Sequence, residues 1–555
     1  MSGVRSTPRP SRSFVIAGLL FAASAGFVWW RNTQVGVLVD LGYVVNIATR
    51  IALGDIPYRD FPLAQAPGSF LTQALLIKVF GPHYFVQIVY ASVLGGAATV
   101  LSYLITRRLL SGTVAEPDGL ALVVTLPLIP LGIYAVVPNP FYDPDACLVV
   151  LGTLALLLFA RDRPTVARFV AAGALATVPL FIKQNIGGAF VVSLAGILII
   201  EAWARPARRR ELGWFSLGLG GALAIELVLL QLIVGIDAYI RWAWTFAMSG
   251  RGVTVDRIRE FADPVVLFPA VIIVALAAAA PHVSERVRGL LFAGGLAVAL
   301  AATPAAPIAL QMAPLFLPPL LVAAIALGLA RAAREGPRMD LLLPLVLVAT
   351  TLGTLQSQGL VNSTFGIFPM LTLALACVVR DLAGFAPRPL RLAPLTGVVI
   401  ALIVTVVGTV STIENVRLRF IHVNDPGPVA TSAFPSLAGL SARGPYLAQF
   451  DAMLFWMRDN VPPADGFVFL PGEDPAFFAL GRKPALPSVY FYDVATPYTP
   501  SELARIADDV GLRWVIVKDP LQLIVQPPLE PELVARLTTG ATLVTTIGPY
   551  RVFRR

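Results

Sequence analysis

Long uncharged stretches recur through the first 410 residues, separated by short segments rich in arginine, proline or glycine. A helix needs about 20 mostly apolar residues to cross the roughly 30 Å hydrocarbon layer of a bilayer. The pattern therefore predicts a polytopic α-helical membrane protein with about thirteen transmembrane helices. The predicted spans are 14–30, 84–106, 119–137, 145–160, 166–182, 187–203, 212–235, 264–281, 289–302, 313–330, 340–356, 366–380 and 393–412.

Two further apolar segments are too short to span. Val44, Ile47, Ala48 and Ile51 follow helical spacing, which predicts a helix lying on the membrane surface. The segment Gly68–Phe80 predicts a second juxtamembrane helix. Both belong to the first of three predicted outer loops, which are 31–83, 138–145 and 236–263.

From about residue 411 the pattern becomes that of a small α/β domain, so we divide the chain into a transmembrane domain, 1–410, and a second domain, 411–555. Apolar positions recur with helical spacing in two segments and with strand character in three others. The predicted helices are Tyr446–Asn460 and Ser501–Val510, and the predicted strands are Phe467–Leu470, Arg513–Lys518 and Ala541–Thr546.

Composition agrees with this division and excludes a soluble or disordered protein. The chain is 57% hydrophobic and only 14% charged, whereas soluble domains carry about 25% charged residues. Its basic excess lies in the membrane part, which excludes a nucleic-acid-binding role. Cys147 and Cys377 lie in apolar runs, so cysteine implies neither a disulfide framework nor a thiolate metal site.

Arginines cluster in alternate loops, which sets an orientation under the positive-inside rule. With the N-terminus in the cytoplasm, the basic loops lie inside and an odd number of spans places the second domain outside. The basic loops are Arg107–Arg108, Arg161–Arg168, Arg205–Arg210, Arg286–Arg288, Arg331–Arg338 and Arg380–Arg391.

Three carboxylates and one lysine near the predicted outer face are candidates for chemistry, because charge at a bilayer boundary is costly. Asp40 precedes the surface helix, either as a helix cap or as a reactive group. Asp143 and Asp145 could converge on one divalent cation, or could form a turn and a cap. Lys183 ends a predicted span, either snorkelling to the interface or holding a phosphate.

The segment VDLGYVVNIATRIALGDIPYRDF and the following PLAQAPGSFLTQALLIKVFG resemble the first outer loop of GT-C-type glycosyltransferases, which use polyprenyl-phosphate sugars. The similarity to these enzymes extends to the FYDPD loop, to the end of the span at Lys183-Gln184 and to the C-terminal domain. Within that family, the sequence resembles bacterial enzymes of the kind that includes the aminoarabinose transferase and the protein mannosyltransferases. The first-loop motif residues are Tyr43, Tyr58, Arg59, Asp60, Pro67 and Gly68.

The resemblance implies a GT-C-like membrane fold and transfer of a sugar from a polyprenyl-phosphate donor to an acceptor hydroxyl on a lipid, glycan or protein. Asp40 falls on the family's candidate base, and Asp143 and Asp145 on its assisting or metal-binding acids. The implied location is a bacterial inner membrane, with the C-terminal domain extracytoplasmic. The expected donor-phosphate ligands are Lys183, Gln184, Arg241, Arg251, Arg257 and Arg259.

Two other classes remain open at this point. A transporter or flippase would place charges and broken helices at mid-membrane and often shows related halves. A non-catalytic scaffold would present its C-terminal domain to a partner. The clustering of candidate charges at one face favours the enzyme, but the sequence names neither the sugar nor the acceptor.

Overall fold

The computed structural model describes residues 12–34, 39–136, 138–251, 306–358, 366–384, 428–491, 496–520 and 529–555. The described part is mainly helical, with small β-sheets near the C-terminus. The first helices are α1 (Arg12–Thr33), α2 (Val39–Ala52), α3 (Gly68–Phe80), α4 (Tyr84–Leu110), α5 (Pro117–Thr125), α6 (Leu128–Leu131), α7 (Tyr142–Asp162), α8 (Val166–Thr177), α9 (Gln184–Ala204) and α10 (Arg209–Ile233). There follow α11 (Ile236–Tyr239), a π-helix (Ile240–Phe246), α12 (Ala247–Arg251), α13 (Ala306–Glu335), α14 (Met339–Gln358) and α15 (Phe368–Gly384).

Within the described residues, five helical segments are long and apolar enough to cross a membrane. They are Arg12–Thr33, Tyr84–Leu110, Tyr142–Asp162, Gln184–Ala204 and Pro206–Ile233. The predicted spans 313–330, 340–356 and 366–380 also lie within or largely within helices, namely α13, α14 and α15. The predicted spans 264–281, 289–302 and 393–412 lie outside the described residues.

Two of the predicted spans that fall on described residues are not continuous α-helices. In the span 166–182, α8 ends at Thr177 and a 3₁₀ turn, Val178–Phe181, follows. Residues 119–137 do not form a single helix, because α5 ends at Thr125 and α6 is a separate turn, Leu128–Leu131. Pro127 and Pro130 explain the break, since proline lacks the amide hydrogen that a continuing helix requires. The chain then turns through Tyr134, whose φ is positive at 63°.

The first outer loop contains both predicted short helices, but one of them has a different environment from that expected. α3 coincides with the predicted segment Gly68–Phe80, and it exposes Leu71, Leu75 and Val79 along one side. α2 contains the predicted apolar face, yet Val44, Ile47 and Ala48 are buried inside the protein. The face of α2 therefore packs against protein rather than lying on a membrane surface, because α3 and the C-terminal domain cover it.

The C-terminal domain is the predicted small α/β unit. Its main sheet has the order β3-β4-β6-β5, with β3 and β4 parallel and the other pairs antiparallel. The strands are β1 (Val429–Thr431), β2 (Ser441–Arg443), β3 (Gly466–Leu470), β4 (Leu512–Lys518), β5 (Thr542–Ile547) and β6 (Tyr550–Arg554). The helices are α16 (Tyr446–Asn460), α17 (Ala476–Leu480), α18 (Pro500–Asp509) and α19 (Pro531–Thr538).

Local signals explain several of these boundaries. Thr499 and Glu502 form a reciprocal capping box at the start of α18, which satisfies two otherwise free backbone amides. β1 and β2 form a small antiparallel pair, and Ser441 in β2 donates a hydrogen bond to the carbonyl of Thr33 at the end of α1. The C-terminal domain is thus seated on the same end of the helices that carries α2 and α3.

Candidate functional site

The two acidic residues of the FYDPD loop lie in the first turn of α7 and face different partners. Both oxygens of Asp145 accept hydrogen bonds, from Ser69 at 2.5 Å and from the Tyr90 and Tyr134 hydroxyls. Asp143 is fully buried, and its Oδ2 lies 3.8 Å from the ammonium of Lys183. Both carboxylates benefit from the positive end of the helix dipole, but only Asp143 meets a cation here.

This arrangement does not fit the predicted metal site at Asp143 and Asp145. Side chains two residues apart in a helix point about 200° away from each other, so the two carboxylates diverge rather than converge. Both oxygens of Asp145 already accept hydrogen bonds from hydroxyl groups. A metal ion at Asp143 would compete with the Lys183 ammonium for the same carboxylate. In the described part of the chain, no group of three or more metal-ligating side chains occurs.

Lys183 is held in a break between helical segments. A 3₁₀ turn, Val178–Phe181, ends just before it, and the extended Lys183 backbone immediately precedes α9. Its side chain is buried, and its ammonium lies 4.3 Å from the centre of the Tyr142 ring. A cation at a helix N-terminus opposes the helix dipole. The buried position is therefore supported by Asp143 and by the face of Tyr142.

A chain of aromatic rings connects this ion pair with the helix of Asp40. Asp40 is half-buried in the first turn of α2, and Tyr43 lies on the same side of that helix three residues later. The Tyr43 ring packs edge-on against Phe70, 5.9 Å away, and Phe70 packs against Tyr142, 6.0 Å away. The helix of Asp40 and the Asp143–Lys183 pair thus share one end of the molecule and one continuous aromatic wall.

The segment before α3 binds to the residues around Lys183. The Gln184 amide oxygen accepts a hydrogen bond from the backbone of Ala66, and its amide nitrogen donates to the carbonyl of Ala243. Tyr43 and Tyr58 both donate hydrogen bonds to Gln65, to its side chain and to its backbone carbonyl respectively. Gln184, a predicted phosphate ligand, therefore acts as a bridge between the first outer loop and the 240–246 π-helix.

Gly68 allows this close approach, because a β-carbon there would lie 2.5 Å from the backbone carbonyl oxygen of Phe181. We expect Gly68→Ala to lower stability by about 1–3 kcal/mol, the usual cost of overpacking. The control is Gly188→Ala, where a β-carbon meets no atom within 4 Å. Thermal unfolding of the purified proteins in detergent measures both. An unchanged melting temperature for Gly68→Ala would contradict the close packing.

The remaining first-loop motif residues do not all reach the site. Tyr58 is buried against Tyr239 at a positive φ of 67°, and burial raises the pKa of its hydroxyl well above the ordinary value. It is therefore a permanent hydrogen-bond donor. Arg59 and Asp60 pair with each other at the exposed rim, where Asp60 also accepts the amide of Ile56. Pro67 directly precedes the first residue of α3.

Of the four arginines predicted to bind the donor phosphate, the structure locates one side chain. Arg241 is exposed in the π-helix, two residues from the Ala243 carbonyl that Gln184 contacts. Arg251 ends the short helix α12, and its side chain is not described. Arg257 and Arg259 lie outside the described residues. Their predicted role stays a prediction.

Sequence reasoning missed the contacts by which the C-terminal domain holds α2. The Asn46 side chain donates to the carbonyl of Asp474 and accepts from the amide of Phe478, both at 3.0 Å. Arg50 donates to the carbonyls of Leu486 and Pro487 and pairs with Asp55. The only local signal was the presence of polar residues on an otherwise apolar helix.

A buried polar cluster lies directly behind this interface. The ammonium of Lys518 lies 2.5 Å from Glu473 and 2.9 Å from Asp474, and Asp474 also accepts the hydroxyls of Tyr446 and Tyr550. Burial and the charge of Asp474 raise the pKa of both tyrosines well above the ordinary value, so they remain donors. The cluster fixes the backbone at residues 473–474, which touches α2 opposite Gly42.

Comparison with solved structures identifies the architecture as the GT-C glycosyltransferase fold, as the sequence resemblance implied. The apo structure of ArnT from Cupriavidus metallidurans aligns with a TM-score of 0.51 at 14% identity, over 97% of each chain. ArnT bound to undecaprenyl phosphate aligns over the same share of each chain at 14% identity and a TM-score of 0.44. The Archaeoglobus fulgidus oligosaccharyltransferase in complex with zinc and sulfate aligns with a TM-score of 0.49 at 15% identity, over 91% of this chain and 68% of that one.

At these identities the likeness establishes the fold and leaves the reaction to be argued from the site. No protein-family model matches the sequence, and no curated protein is a significant match.

Proposed function

We propose that this protein is a membrane glycosyltransferase that moves a sugar from a polyprenyl-phosphate donor to an acceptor hydroxyl on a lipid, glycan or protein. The observation that carries the proposal is the joining of the Asp40 helix to the buried Asp143–Lys183 pair by one aromatic wall. A base and a phosphate-binding cation at one end of an apolar helix bundle suit a donor with a lipid tail and a charged head.

The reaction we infer is a direct displacement at the anomeric carbon. Asp40 takes the proton as the acceptor oxygen bonds to that carbon, and the bond from carbon to the phosphate oxygen breaks. Lys183 stabilises the charge that develops on the departing polyprenyl phosphate. Asp143 faces the Lys183 ammonium and orients it, and Asp145 fixes the start of α7 to α3 and α4 through its hydroxyl donors. No step in this scheme passes through a metal ion.

The fold similarity supports this choice of donor class. One of the solved structures with this fold is described as ArnT bound to undecaprenyl phosphate. The apolar stripe that α3 exposes beside the site is suited to contact with lipid tails.

The direct test is transfer of a labelled sugar from a synthetic polyprenyl-phosphate donor by the purified protein in proteoliposomes. We expect label to appear in a product with release of polyprenyl phosphate. Movement of intact donor across the bilayer without release would indicate a transporter or flippase instead. If neither sugar transfer nor movement of the donor occurs with a panel of phosphate-linked donors, a non-catalytic scaffold is favoured.

We further propose that the site and the C-terminal domain face the outside of a bacterial inner membrane, with the N-terminus in the cytoplasm. The basic loops lie at the opposite ends of the helices that carry Asp143 and Lys183, as the positive-inside rule requires. Alkaline phosphatase fused after residue 555 should be active, and a cytoplasmic reporter fused there should be inactive. The reverse pattern would place Asp40 in the cytoplasm and contradict the orientation.

A further inference from the structure

Far from the candidate site, a group of arginines lines a cavity of about 450 Å³ at the other end of the helix bundle. The ends of α4, α7, α9, α13, α14 and α15 surround the cavity. α7 carries Asp143 in its first turn and Arg161 in its last. At 1.5 Å per residue this separates the two sites by about 30 Å. The cavity is therefore not part of the proposed transfer site.

Membrane orientation alone does not explain this convergence. Arginines that only set topology need to be on the correct side, and they can be spread around the perimeter. Here the basic loops that are far apart in sequence contribute seven arginines to one cavity wall, which contains two acidic residues, Glu201 and Asp340. The other carboxylates that pair with these arginines do not line the cavity.

Three of the arginines form a buried ionic framework. Arg380 pairs with Asp381 at 2.7 Å, and Arg331 reaches the same carboxylate at 3.1 Å. Arg161 pairs with Glu201 at 2.5 Å. These side chains are mostly buried and hold the helix ends together. Their positions are thus fixed before any ligand arrives, which lowers the entropic cost of binding.

The mouth of the cavity is different, because its arginines keep unused donors. Arg205 donates to the backbone carbonyl of Glu335 and meets no carboxylate among the residues that the structure describes. Arg208 uses one terminal nitrogen for Glu211, and Arg108 uses two nitrogens for Asp162. Each guanidinium has five N–H donors. Several N–H groups of these three arginines therefore have no protein acceptor within the described ranges.

We propose that this cavity binds a phosphate-bearing anion. Guanidinium groups match phosphate oxygens with two parallel hydrogen bonds, and the volume falls in the range of small-molecule sites, about 300–1,000 Å³. The position at the end of apolar helices allows two sources of that phosphate. One is the headgroup of an anionic phospholipid, since basic pockets between membrane helices bind such groups. The other is a soluble phosphate or pyrophosphate.

The test uses the purified full chain, delipidated in detergent, and follows its melting temperature during titration with three probes. The probes are phosphatidylglycerol, phosphatidylcholine and sodium pyrophosphate. The site variant is Arg205→Gln with Arg208→Gln. The matched control is Arg209→Gln with Arg210→Gln, which removes the same charge from exposed residues of the same stretch that do not line the cavity.

We expect an anionic probe to raise the melting temperature of the wild type, and phosphatidylcholine to leave it unchanged. The site variant should bind that probe at least about 10-fold more weakly, since charge-assisted hydrogen bonds are lost, and the control should bind as the wild type does. A response to phosphatidylglycerol alone identifies a lipid headgroup, and a response to pyrophosphate identifies a soluble anion. The proposal is overturned if neither anion stabilises the protein, or if both double variants weaken binding equally.

Discussion

Replacing Asp40 with asparagine should reduce sugar transfer by about 10²–10⁴-fold, the usual contribution of a general base. Asparagine has the same shape but cannot accept the hydroxyl proton at neutral pH. The expected structural cost is small, because the favourable interaction of a first-turn carboxylate with the helix dipole contributes about 0.3–1 kcal/mol and asparagine keeps the shape and an acceptor oxygen. We therefore expect normal expression and an unchanged melting temperature, with single-turnover transfer as the measured quantity.

Asp60→Asn provides the matched control for Asp40→Asn. Asp60 belongs to the same outer loop, but it pairs with Arg59 at the exposed rim and accepts the amide of Ile56. An asparagine there keeps an acceptor for that amide, so transfer should stay close to the wild-type rate. If Asp40→Asn turned over donor as fast as Asp60→Asn, Asp40 would be a structural residue and the base would have to be sought elsewhere.

Lys183→Met should reduce transfer by about 10²–10³-fold, as expected when a well-placed donor to developing charge is lost. The burial of the ion pair adds a second expectation. The variant removes the ammonium that lies 3.8 Å from the buried Asp143 carboxylate, and breaking a buried ion pair by removing one partner costs about 3–5 kcal/mol. The single variant should therefore be less stable as well as less active, and its activity alone would be ambiguous.

The double variant Lys183→Met with Asp143→Asn separates these two effects. It removes both charges, so the melting temperature should recover towards that of the wild type while transfer remains low. Lys183→Arg keeps the charge but has a wider, planar head, and we expect it to retain intermediate activity. Recovery of transfer in the double variant would show that Lys183 only neutralises Asp143, and would exclude it as the phosphate ligand.

Local features of the fold were predictable from the sequence because they depend on nearby residues. The bounds of α3 and α16 coincide with the predicted segments, since glycine, proline and apolar spacing mark both ends. The prediction began the span of α7 at Asp145, after a proline turn. In the structure α7 begins at Tyr142, because proline is tolerated in the first turn of a helix. Asp143 and Asp145 therefore both lie in the first turn of α7, where they contact different partners instead of converging as predicted.

Long-range features of the site could not be predicted in this way. Asn46 and Asp474 are 428 positions apart, and no local pattern links them. The sequence analysis did not predict β6, because the charged residues in YRVFR weaken the apolar pattern of a strand. Pairing with β4 and β5 stabilises this strand in the structure. The sequence correctly predicted the apolar spacing of α2. Its prediction that this face lies on the membrane surface was wrong, because the rest of the protein covers the face.

The support that Tyr550 gives to Asp474, and through it to Asn46, has a consequence for biosynthesis. The ribosome makes Tyr550 510 residues after Asp40 (550 − 40). At synthesis rates of about 5–20 residues per second, the two are separated by roughly 25 to 100 seconds. A nascent chain therefore carries α2 without this support until β6 has been made and has folded. A chain that ends before Tyr550 lacks this support, so we expect it to hold the helix of Asp40 less firmly than the full chain does.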